Sequence, residues 1–290
     1  MGFFLPVTDG KLIQQLPSQQ LLKRQVNGLR VLSGDNANEG ASFVPRIRTQ
    51  ADLLSWLHLT FPLFSEADIS KVLLYYPNPT NASVDPTAIL YSTNGLTGLT
   101  ALNESDLANG PQQIADNIYS ETTFTCPSYW LAASQAQRGG DRAGYKYQFS
   151  IPPSTHGADV GGYFATPAPA YMGADFGLAF MQMWGNFIMN DNPSVSNLVA
   201  NGNSTGNATA SNALANFPEF TFDNPMLLNM NTTGGTPTRI NSTSSFSGFY
   251  YQLQGPGLEP VFEAVNAYTW EGGRGTRCDF WLSMATLVPE

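Results

Sequence analysis

Two side chains in this chain of 290 residues, an acid and a histidine, stand where their types could share a proton. Glu39 lies in Gly34-Asp35-Asn36-Ala37-Asn38-Glu39-Gly40, directly after the short β-compatible run Leu29-Arg30-Val31-Leu32-Ser33. His156 lies in Ser154-Thr155-His156-Gly157-Ala158-Asp159, directly after the alternating run from Tyr145 to Ile151. An acid and a histidine on loops leaving the C-terminal ends of strands stand where an open α/β sheet displays functional groups. A carboxylate beside an imidazole fixes the useful tautomer and stabilises the imidazolium formed during acyl transfer. Taken singly, a glutamate in a turn is usually solvated and a histidine usually structural, so both readings stand until context decides. His58, in Trp56-Leu57-His58-Leu59, reads as structural. No Cys/His or carboxylate spacing suggests a metal, and no cofactor is expected.

The elements that would position the pair can be read from pattern. Leu29 to Ser33 predicts a strand that stops at the turn signal Gly34-Asp35-Asn36. Leu53, Leu54, Trp56 and Leu57 predict a helix from Gln50, and Ser65 with Asp68 predicts a capped second helix ending before Pro77. Pro77 to Gly110 reads as loop. Helical spacing returns over Pro111 to Ser120 and over Pro127 to Arg138, the latter closed by Gly139-Gly140. Tyr145, Tyr147, Phe149 and Ile151 alternate on one face of a strand that ends at Pro152-Pro153. Ala174 to Met189 predicts a long apolar helix, followed by a low-complexity loop at about 190–216. Short strands are expected around Phe220, Phe222, Leu227 and Leu228 and over Phe246 to Leu253, with a last helix over Cys278 to Leu287. Strands separated by helices, with no repeat and no linker, argue for one α/β domain.

Composition narrows the partners. With 13 Lys+Arg against 22 Asp+Glu and a formal charge of -9, no basic stripe exists to hold phosphates, so no nucleic acid partner is expected. No apolar run reaches the roughly 18 residues of a membrane span. The start, Met1-Gly2-Phe3-Phe4-Leu5-Pro6, lacks the basic and apolar regions of a signal peptide. N-x-[ST] sequons nevertheless recur at Asn81, Asn103, Asn203, Asn207, Asn231 and Asn241, each a candidate glycosylation site. With two cysteines and few lysines they favour a secreted product, one that reads as if it began inside something longer.

Context decides between the readings of the pair. Pro6-Val7-Thr8-Asp9-Gly10, then Val31 to Gly40, Phe124-Thr125-Cys126-Pro127, Tyr145-Lys146-Tyr147-Gln148-Phe149 and His156-Gly157-Ala158-Asp159 follow one another in order. Trp184-Gly185-Asn186-Phe187, Phe217-Pro218-Glu219-Phe220 and Arg277-Cys278-Asp279-Phe280-Trp281 complete the set. The ordered words resemble type-B carboxylesterases, the cholinesterase and fungal lipase family, over nearly the whole chain, and the loops look most like filamentous-fungal members.

The resemblance implies the C-terminal portion of an α/β-hydrolase fold: the last core strands plus helices, with an incomplete sheet. It implies that Glu39 is the acid and His156 the general base and acid of a Ser-Glu-His triad acting on a small-molecule or lipid ester. Asp159 matches a position where the family often has a glutamate and reads as a structural support. The family's Cys-Pro and terminal Cys-x-Phe-Trp words imply a Cys126–Cys278 bridge. Triad order in this fold is nucleophile, acid, histidine, with the serine on a G-x-S-x-G elbow. The 38 residues before Glu39 contain no elbow and no glycine-rich oxyanion run, so the nucleophile is expected outside this chain. The one G-x-S-x-G string, Gly202-Asn203-Ser204-Thr205-Gly206, follows His156 and is a decoy. The expected partner is therefore the missing N-terminal half; without it an apolar edge stands open, and the isolated chain is expected to be inactive and poorly soluble. The alternatives are a non-catalytic cholinesterase-like binding or adhesion module, and one half of a split esterase.

Overall fold

In the computed structural model, residues 8–77, 105, 107–136, 141–164, 167–221, 223–243, 245 and 248–289 are described. Asn81, Asn103 and most of the loop expected over Pro77 to Gly110 lie outside them, as do Arg138-Gly139-Gly140, Phe222 and Phe246.

Four strands form one sheet in the order β1-β2-β3-β4: β1 (Arg30–Asn36), β2 (Ala143–Phe149), β3 (Met226–Asn241) and β4 (Phe249–Asn266). β1, β2 and β3 run parallel and β4 returns antiparallel. Nine helices are found among the described residues: α1 (Pro17–Leu22), α2 (Gln50–Thr60), α3 (Glu66–Tyr75), α4 (Gly110–Ser120), α5 (Cys126–Gln135), α6 (Val160–Tyr163), α7 (Gly173–Asn190), α8 (Asn197–Ala200) and α9 (Trp270–Ser283). The architecture is α/β, an open mixed sheet with helices on both faces.

β2 explains the layering. Every residue of it is buried, as expected of a parallel strand covered on both faces. Tyr145, Tyr147 and Phe149 pack with Phe176, Phe180 and Met183 of α7 in one core. The alternate positions face α5, where a Cβ on Gly144 would lie 2.2 Å from the Ala132 carbonyl oxygen. A second core joins α2, α3, α4, α5 and α9 around Leu57, Ile118, Tyr129 and Trp281. The turn expected at Gly34-Asp35-Asn36 is instead the last part of β1, in register with Tyr147, Gln148 and Phe149. Gly34 belongs in the strand because the Tyr147 ring lies 2.1 Å from where its Cβ would be.

Polar groups on the α5 side are buried and paired. Glu121 accepts from Arg277 Nη2 at 2.6 Å and from Arg274 Nε at 3.2 Å, and Tyr76 donates to its other oxygen. Burial pushes the Glu121 carboxyl up, but Arg277 and Arg274 outweigh it and leave it below the ordinary range. A left-handed turn at Glu271, Gly272 and Gly273 (φ 52, 62 and 91°) aims two carbonyls at Arg277. Beside this hub, Lys146 is fully buried in an ion pair with Asp35 and lies over the Tyr129 ring. Burial holds its ammonium below the usual lysine range against the pull of Asp35. The expected bridge is present: Cys126 and Cys278 are joined, tying the start of α5 to α9.

α2 and α3 begin as their sequences predict, with reciprocal capping boxes at Thr49/Asp52 and Ser65/Asp68. Thr49→Ala and Ser65→Ala are each expected to cost about 1 kcal/mol, read as a lower urea midpoint at unchanged slope. The 190–216 loop is folded into short helical turns at Asn197–Ala200, Asn203–Thr205 and Ala213–Asn216, which bury Val199, Ala200 and Leu214. Within it Asn203 and Asn207 are exposed; Asn231 lies inside β3 opposite Val261 and is half-buried, whereas Asn241, at the end of β3, is exposed. No helix among the described residues is long and apolar enough to cross a membrane.

Candidate active site

The two parallel strands deliver the acid and the histidine to one rim. Beyond their last paired residues the loops continue to hold each other. Ala37 N donates to Phe149 O at 3.0 Å, Asn38 N to Ser154 O at 2.9 Å, and Asn38 pairs with Thr155 in an isolated parallel bridge. A 3-10 turn, Glu39–Ser42, then aims the glutamate back over the sheet. Gly40 is required next to it: a Cβ there would sit 2.0 Å from the Asp116 carbonyl oxygen of α4, and its N–H donates to Ser120 Oγ at 2.7 Å.

Glu39 Oε2 and His156 Nδ1 meet at 2.7 Å. The Glu39 side chain is 6% exposed and that of His156 47%, so a buried carboxylate holds a ring whose other nitrogen is left for chemistry. Burial pushes the Glu39 carboxyl above its ordinary range and nearby Asp35 adds to this; the Asn36 backbone N–H, His156 and the Asn36 amide oppose it. The imidazole is held between rings, with Phe124 at 4.6 Å and Phe43 edge-on at 5.2 Å between centroids. Phe124 reaches it from a π-turn, Glu121–Thr125, which joins α4 directly to α5; π-turns of this kind are frequent at functional sites. The periodicity of the two helices gave no sign of it.

Glu39 and His156 line a cleft of about 460 Å³ together with Asp159, Tyr163 and Trp184. Asp159 Oδ2 accepts from Tyr163 at 2.5 Å, and Oδ1 accepts from the Asn36 amide at 3.1 Å. Among the described residues no serine hydroxyl is hydrogen-bonded to His156. Ser204 is exposed and its N–H and hydroxyl are both held by Asp175 of α7. His58 is half-exposed, 3.6 Å from Glu66. No group of three metal-ligating side chains occurs among the described residues.

The carboxylesterase family model matches residues 2–245. The chain belongs to the carboxylesterase family. Its fold is similar to that of the solved structure of Aspergillus niger EstA, with a TM-score of 0.62 at 18% identity. The match covers 99% of this chain and 46% of that one, so this carboxylesterase-family chain spans about half the length of its structural relative. No curated protein matches it. Family membership accounts for the ordered words from Val31 to His156.

One buried acid beside the rim is outside the couple. Among the described residues Asp116 on α4 accepts only from Gln112 Nε2, at 2.9 Å, and burial pushes its carboxyl from 3.8 up to about 7. Because its folded value is raised, the stability it contributes is present at acid pH and is lost as pH rises from 3.8 through about 7. Asp116→Asn keeps the acceptor for Gln112 and removes the charge. Above pH 7 it is expected to be more stable than the parent by about 4 kcal/mol, with little difference at pH 4. Urea unfolding at the two pH values checks this; equal gains at both would exclude burial of the charge as the cause.

Proposed function

We propose that this chain contributes the acid and the base of a carboxylic ester hydrolase, with Glu39 and His156 completing a Ser-Glu-His triad. The observation that carries the reading is the 2.7 Å contact between a buried carboxylate and the Nδ1 of a half-exposed imidazole at the C-terminal rim of parallel strands. In that role His156 Nε2 takes the proton of a serine hydroxyl as its oxygen attacks the ester carbonyl, and Glu39 stabilises the imidazolium. The proton then goes to the departing alkoxide, and water repeats the cycle on the acyl-serine. Serine and oxyanion donors come from polypeptide outside the described residues, docked along the free edge of β1. Two observations support this: β1 is paired on one side only among the described residues, and the EstA chain of similar fold is about twice as long. Secretion and glycosylation at the exposed Asn203 and Asn207 fit the same reading.

The test is hydrolysis of a chromogenic short-chain ester by the chain alone and by the chain joined to a family member's N-terminal half. Turnover by the joined protein that vanishes in His156→Ala is expected, with the chain alone silent. Turnover unchanged by His156→Ala would overturn the assignment.

A further inference from the structure

Glu39 presents two oxygens, and only one faces His156. Oε1 is occupied by residue 36 twice over: the Asn36 backbone N–H donates to it at 2.7 Å and the side-chain amide at 3.2 Å. The same amide nitrogen donates to Asp159 Oδ1 at 3.1 Å. Asn36 is 3% exposed, and its own Oδ1 is buried without a partner among the described residues. The amide is therefore oriented by what its NH2 group donates; turned over, it would aim an oxygen at two carboxylates. We propose that Asn36 is the positioning residue of the acid–histidine couple, its amide wedged between Glu39 and Asp159 so that only Oε2 of Glu39 reaches the imidazole.

The physical need is plain. Two carboxylates brought toward one another repel, and the usual relief is uptake of a proton by one of them. Burial already favours protonated Glu39. A protonated acid could neither fix the ring tautomer nor stabilise an imidazolium. An amide NH2 between the carboxylates removes the conflict without adding charge, which neither aspartate nor an apolar residue at position 36 would do. Tyr163 and Tyr147 donate to the far oxygen of Asp159, at 2.5 and 3.4 Å, and hold that carboxylate in place.

The catalytic consequence rests on the esterase reading, but the positioning itself is measurable without any ester. The chain has two histidines, so long-range 1H–15N correlation on histidine-labelled protein reads the His156 tautomer directly. In the parent the expected reading is a proton on Nδ1, donated to the Glu39 carboxylate, with Nε2 unprotonated. N36L and N36A are both expected to raise the Nε2-protonated fraction several-fold, toward the value of E39Q, while S204A, remote from the couple and held by Asp175, leaves it at the parental level. Circular dichroism confirms folding, and if one of the two Asn36 variants fails to fold the other decides. A folded Asn36 variant with the parental tautomer would overturn the proposal. The expected tautomer shift together with absent ester turnover would leave Asn36 in its role and remove only the esterase reading.

Discussion

Glu39→Gln is expected to lower ester turnover about 10⁴-fold in any assembly that brings a nucleophilic serine to His156, with KM nearly unchanged. The substitution keeps the size of the side chain and its place under the ring. What it changes is the sense of the contact with Nδ1. A carboxylate can only accept, so it forces the proton onto Nδ1 and leaves Nε2 as the base; an amide can donate, and stabilises the opposite tautomer. It also withdraws the negative charge that meets the imidazolium in a site where the acid is only 6% exposed, so water screens little of that charge. The measurement is kcat and KM for a chromogenic ester in parent and variant. A loss of less than about tenfold, near 1.4 kcal/mol, would mean that Glu39 is a bystander.

The second large effect concerns stability. Cys126 and Cys278 are 152 residues apart in sequence, and in the chain-entropy model closing so long a loop stabilises the folded state by about 5 kcal/mol. Replacing both cysteines by serine is therefore expected to lower the unfolding free energy by about that amount, seen as a large drop in urea midpoint. The consequence reaches the site, because Thr125 next to the bridge donates to Asp35 at 3.0 Å and Phe124 lies on His156. The His156 ring resonances should broaden in the serine variant at denaturant concentrations where the parent is still folded. A midpoint unchanged by the substitution would show that the apolar core around Tyr129 and Trp281 and the ion pairs of Glu121 with Arg274 and Arg277 hold α9 in place without the bridge.

What was legible in the sequence differs from residue to residue for physical reasons. Local rules sufficed for α3, whose start is fixed by Ser65/Asp68 within four residues of chain, and for α2 from the spacing of Leu53, Leu54, Trp56 and Leu57, its Thr49/Asp52 box being seen only in the structure. They sufficed also for β2, where alternation of Tyr145, Tyr147 and Phe149 reflects packing against α7. Glu39 and His156 became visible through the ordered family words, and the structure brings them together. Periodicity missed the length of β3 and β4, which pair as far out as Asn241 and Phe249, because Thr, Gly, Pro and Asn there look like turn residues. It missed the burial of Lys146, Arg274 and Arg277 as well. A charge is written the same way in sequence whether water or Glu121 surrounds it, and only the fold decides. Asn36 was read as a turn residue for a related reason: its work lies across 123 residues of chain, at Asp159.

The order in which these fastenings lie along the chain bears on its birth at the ribosome. Glu39, His156 and the π-turn that touches the ring are all synthesised before α9, yet the two arginines on Glu121 and the second cysteine are supplied by α9. Until Trp270–Ser283 has left the exit tunnel, Glu121 has no cationic partner and Cys126 no mate. Chains grow at about 5–20 residues per second, so for several seconds the nascent polypeptide carries its acid and histidine without the clasp that α9 later closes.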